Sequence, residues 1–170
     1  PMRSCEANQQ DLLAAILEGK GFQSNPGGAS DQFRTPVAPD KVFLMGYSKG
    51  APDILSTLAE HHDKIGNKVQ CVVTWAGAIG GSYMADSFYE LIKNADTDLL
   101  TGRLHDFLKL LTPNVTRKGS LRRLDEYDIK GGVYSLTTKA RAEFFKQYHQ
   151  ILDELNIPII NITAATTALE

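Results

Sequence analysis

Val42-Phe43-Leu44-Met45-Gly46-Tyr47-Ser48-Lys49-Gly50-Ala51 reads as an apolar strand, a tight turn with serine at its apex, and the first residue of a helix. A serine held in a strained turn between a parallel strand and the following helix draws together the residues two before and two after it. Glycine at both places, Gly46 and Gly50, removes the expected clash. Such a turn lifts the Ser48 hydroxyl above the sheet. It also aims the backbone N–H of Lys49 where an oxyanion would form, and the helix dipole favours the same negative charge. The plainer alternative is a strand-to-helix turn whose serine only caps the helix.

The flanks agree with strand, turn and helix. Pro39-Asp40 bounds the strand, and Ala51, Ile54, Leu55, Leu58 and Ala59 follow at helical spacing, with Pro52 and Asp53 in a first turn that tolerates both. Upstream, Cys5–Glu18 is predicted as an amphipathic helix with Leu12, Leu13, Ile16 and Leu17 on one side. Ser4 is its N-cap, and Gly19 and Gly21 end it. Residues 22–40 are rich in Gly, Ser, Asn, Pro and Asp and read as a surface loop, in which Asn25-Pro26-Gly27-Gly28 is turn chemistry; a phosphate cradle would need a strand before it and a helix after.

Downstream, Val69–Ala76 is predicted as a second strand, with Cys71 buried in it. Gly77-Ala78-Ile79-Gly80-Gly81-Ser82 follows at the strand's carboxyl end. These glycines either line a ligand site or allow close packing. From Asp86 to Val115 the apolar positions, notably Leu100, Leu104, Phe107, Leu108 and Leu111, keep helical spacing and form either core or the underside of a cap. Arg117, Lys118, Arg122 and Arg123 are offset by Asp125, Glu126 and Asp128 and read as a solvated face. Thr138–Leu155 is a further helix stopped by Asn156 and Pro158, and 157–163 a third short strand.

Composition narrows the partners. With 170 residues, 42% hydrophobic and 22% charged, the chain suits a single α/β domain with a real core. A net charge of −2 gives no reason to expect nucleic acid, and no apolar run approaches the roughly 20 residues of a membrane helix. The two cysteines form neither a disulfide framework nor a zinc pattern, and no metal or cofactor is implied. The absence of a signal peptide favours a cytoplasmic location.

The order of strand, G-x-S-x-G, helix, strand, glycine-rich loop, helical insertion, helix and strand resembles the middle of an α/β-hydrolase. The stretch from Val73 to Asp86 is also similar to the region of bacterial lipases where a glycine-serine pair and an alanine-aspartate pair precede the lid helices. The resemblance implies a parallel sheet flanked by helices over residues 1–170, with a helical cap at 83–137. It implies a serine hydrolase acting on small-molecule or lipid carboxylic esters. Ser48 would be the nucleophile and the Lys49 N–H the oxyanion donor; an acyltransferase or thioesterase would use the same serine, and a noncatalytic binding domain could keep the same fold. Lys49 stands where lipases often have glutamine, and Ala51 replaces a common glycine, so substrate class stays open.

The superfamily places its acid after a late strand and its histidine after the last one. No histidine follows His149 here, and the early strands of the superfamily are not found before Cys5. The expectation is therefore an internal stretch of a longer hydrolase, inactive by itself, with a partial sheet whose exposed edges favour self-association. The internal alternative takes Asp86 as acid and His105 or His149 as base. His61 and His62, at the end of the helix after Ser48, read as ordinary histidines.

Overall fold

The computed structural model of the chain describes residues 3–20, 37–95 and 128–163. Along these residues run α1 (Cys5–Glu18), β1 (Val42–Tyr47), α2 (Gly50–Ile65), β2 (Val69–Trp75), α3 (Tyr83–Ile92), α4 (Ile129–Tyr134), α5 (Thr138–Glu154) and β3 (Ile159–Ile162).

The three strands form one parallel sheet in the order β1-β2-β3. Leu44 lies opposite Val72 and Gly46 opposite Thr74, while Val72 and Thr74 in turn face Ile159 and Asn161. Each crossover thus steps one strand in the same direction. Because crossovers between parallel strands are right-handed, an unreversed order places the connecting helices on a single face.

That face is the core. Val69 and Val72 pack with Ile54, Leu58 and Ile65 of α2 and with Leu13 and Ile16 of α1, with Leu12, Leu17, Val42 and Leu44 at the margin. A second cluster joins Leu55 and Ala59 to Phe144 of α5, with Tyr148 and Leu152 beside it. Helix α2 lies between the sheet, α1 and α5, and every residue from Ala51 to Ala59 is buried. Among its polar members, Thr57 donates to the Asp53 carbonyl at 2.7 Å within the helix, while Asp53 and Ser56 find partners on α1 and α5.

Local chemistry sets the helix ends. Ser4 Oγ accepts from the Ala7 N–H at 3.2 Å, and Gly19 terminates α1 at φ 71° with its own N–H on the Ala15 carbonyl. Thr137 Oγ1 caps α5 by accepting from the Ala140 N–H at 3.2 Å.

Helix α3 starts at Tyr83 and ends at Ile92, and the stripe expected over Leu100–Leu111 lies outside the described residues. Two expectations are corrected. Strand β3 is shorter than 157–163, because Pro158 has no N–H to give a ladder; it contributes only its carbonyl, which accepts from the Val72 N–H at 2.9 Å. Cys71 is half-buried rather than buried, since it faces away from α2 beside exposed Phe43. Of the cap expected at 83–137, α3 and α4 are described and residues 96–127 are not. No described helix is long and apolar enough to cross a membrane.

Candidate active site

Ser48 sits between the carboxyl end of β1 and the first turn of α2, exposed, with a left-handed φ of 50°. For a non-glycine residue that conformation costs about 1–3 kcal/mol and persists only where neighbours enforce it. Here three backbone hydrogen bonds do so. The Ser48 N–H donates to the Trp75 carbonyl at 3.0 Å, and the Ser48 carbonyl accepts from the N–H groups of Ala51 at 3.3 Å and Ala78 at 3.2 Å. The turn is thereby tied to β2 and to the glycine-rich loop. Ser48 Oγ caps nothing, and α2 has no side-chain cap, so the helix-capping alternative fails.

The two motif glycines are not equivalent. A Cβ at Gly46 would stand 2.6 Å from the Ala51 nitrogen and from the carbonyl of Gly50, which forbids any side chain. A Cβ at Gly50 would meet nothing within 4 Å, so the expected clash there does not exist. In the loop after β2 the glycines serve packing: a Cβ at Gly77 would lie 2.6 Å from that of Ala51, and one at Gly81, whose φ is 92°, would lie 2.6 Å from the Thr138 Cα.

The Lys49 N–H begins the run of helix N-terminal donors and finds no acceptor among the described residues. Its side chain turns the other way. Lys49 is buried, with Nζ 2.5 Å from Asp53 Oδ1 and 3.9 Å from Cys5 Sγ. Asn8 of α1 donates from Nδ2 to Asp53 Oδ2 at 3.0 Å, completing a polar node beneath the serine turn. Burial pushes the Cys5 thiol up from its ordinary range, an effect that the neighbouring Lys49 charge partly offsets. Lys49 and Asp53 are spaced i,i+4, so their pairing was visible in the sequence, whereas its burial depends on α1 arriving from 45 residues away.

Arg141 of α5 carries no local signal in the sequence, because its partner lies 62 residues away. Buried against the Phe144 ring at 4.1 Å, it donates from Nε to the Ile79 carbonyl at 2.9 Å and so fixes the loop beside Ser48. It also reaches Ser56 Oγ at 3.4 Å, while Nη2 finds no acceptor among the described residues.

Among the described residues, the candidate acid Asp86 and base His149 are not gathered at Ser48. Asp86 Oδ1 accepts from the Thr138 N–H and Oδ2 from the Thr138 hydroxyl, each at 2.8 Å, so both oxygens cap α5. The groove of about 410 Å³ that Asp86 borders, with Tyr89, Tyr134 and Lys139, does not include Ser48. His149 is exposed and its Nδ1 lies 2.9 Å from the Phe145 carbonyl, on the half of α5 that leads to the amino end of β3 and away from the serine. His61 pairs with Gln9 at 3.1 Å and His62 with the Ala59 carbonyl at 3.0 Å; thirteen residues of helical rise place His61 about 20 Å from Ser48. His105 lies outside the described residues.

No protein-family profile matches the chain, and no curated protein matches it either.

Proposed function

We propose that this chain carries the nucleophile turn of an α/β-hydrolase that cleaves carboxylic esters, in the manner of a lipase or esterase. The observation that supports it is Ser48 itself: an exposed serine at φ 50°, at the carboxyl end of a parallel strand and two residues before a helix. Such a turn is costly and does nothing for a residue that only caps a helix.

On this reading Ser48 Oγ attacks the ester carbonyl, and the carbonyl π electrons move onto oxygen. The Lys49 N–H then donates to that oxyanion, supported by the positive end of α2. The hydroxyl proton goes to a general base that His61, His62 and His149 do not provide in their described positions. His105 or a histidine from further sequence takes that role. The side chain of Lys49, held by Asp53, takes no part in the proton transfer.

Turnover of a short-chain aryl ester tests the proposal. The expected rate is several powers of ten below that of a complete triad. Its serine-dependent part, read as an acyl group trapped on Ser48, should be absent from Ser48→Ala, which keeps only the background that the oxyanion donor and binding supply. Turnover with no acyl-Ser48, or equal turnover in Ser48→Ala, contradicts the proposal and favours the second reading, a ligand-binding domain without catalysis. What favours that reading is the absence of any hydrogen bond between Ser48 Oγ and a histidine among the described residues. An acyltransferase or thioesterase would show the same serine dependence with a different acceptor or substrate.

A further inference from the structure

We propose that the bare face of the sheet is where a second copy of this chain docks, sheet against sheet. Parallel sheets are normally covered by helices on both faces. Here the unreversed strand order gathers α2 and α5 on one face, and no described element packs on the other.

That face is apolar and contiguous. Phe43, Met45 and Tyr47 alternate outward along β1 with exposures of 77%, 61% and 68%, and Trp75, Ile160 and Ile162 continue across the sheet at 50%, 53% and 44%. The register places Tyr47 beside Trp75 and Trp75 beside Ile162, and the Tyr47 and Trp75 rings meet edge to face with centroids 6.1 Å apart. With large side chains offering roughly 150–250 Å² each, the exposed share comes to about 700 Å². A single copy in water rarely keeps so large an apolar patch open.

The area selects the occupant. A stable interface buries about 800 Å² on each partner, which this patch nearly supplies by itself. One patch meeting its own copy across a two-fold axis is self-complementary, and two sheets pack well at about 10 Å with their strands aligned within about 30°. The contact is thus through the sheet face and not through the open edges of β1 and β3. It stands independently of any catalytic role for Ser48.

Sedimentation equilibrium of the full chain between about 1 and 100 μM tests this, with a dimer dissociating in that range expected. Phe43→Asp and, separately, Ile160→Asp should each weaken association about 30-fold or more while leaving far-ultraviolet circular dichroism unchanged, because both side chains are already exposed. Amide exchange on the wild-type protein, compared at low and high concentration, needs no variant. The amides on the outer edges of β1 and β3 should exchange equally at both concentrations. A monomer throughout the range, a dimer that persists in both folded variants, or edge amides protected on association would each overturn the proposal.

Discussion

Gly46 and Gly50 look alike in the sequence and differ in what they do. Gly46→Ala would drive a Cβ to 2.6 Å from backbone atoms of the next helix, and the expected cost is about 1–3 kcal/mol in chemical denaturation. Gly50→Ala meets open space, and it should leave stability unchanged or raise it by up to about 1 kcal/mol through a stiffer unfolded chain. Ser48 lies between them at φ 50°, so Ser48→Gly should stabilise the fold while removing the proposed nucleophile.

The Lys49–Asp53 pair supplies a second contrast at this scale. Asp53→Ala would strand a buried ammonium, with an expected loss of about 3–5 kcal/mol, whereas Lys49→Met with Asp53→Leu together should cost far less. The sign for Cys5 follows from its raised pKa. Above about pH 8.5 the unfolded chain releases the thiol proton while the folded chain keeps it, so stability falls as pH rises through that range. Urea midpoints measured between pH 7 and 10 should decline for the wild-type protein and decline less for Cys5→Ala.

Among the elements, those decided by nearby residues were legible. Helix α1 has the bounds that its apolar spacing, Ser4 and Gly19 indicate, and β1 and α2 meet at the serine because Gly46, Pro52 and the apolar run all act within one turn. Elements decided by distant partners were not. Asp86 belongs to the cap of a helix 52 residues later, which no local pattern reveals, and Arg141 finds the Ile79 carbonyl across 62 residues. Cys71 reads as a core cysteine only if both faces of its strand are covered, and one is bare. Asp86→Ala should therefore act as a lost helix cap, costing about 1–2 kcal/mol in thermal or urea unfolding, with Asn at that position retaining most of the stability. A full effect from Asn as well would assign Asp86 some role other than capping.

At the scale of the molecule, one direction of strand addition explains both the core and the open face. The helices gather over Val69 and Val72, Ser48 emerges at the carboxyl ends of the strands, and the glycine-rich loop is pinned beside it by Arg141. The described residues bring together a strained serine and an unpaired N–H without a base. On the proposed reading these are half of a catalytic site, and that reading stands on whether Ser48 is nucleophilic at all. Intact-mass and peptide analysis after treatment with a fluorophosphonate tests this most directly. One adduct per chain is expected, located on Ser48, formed slowly but faster than on the urea-unfolded protein, and absent from Ser48→Ala. Labelling no faster than in the unfolded chain, or adducts placed elsewhere, would contradict it.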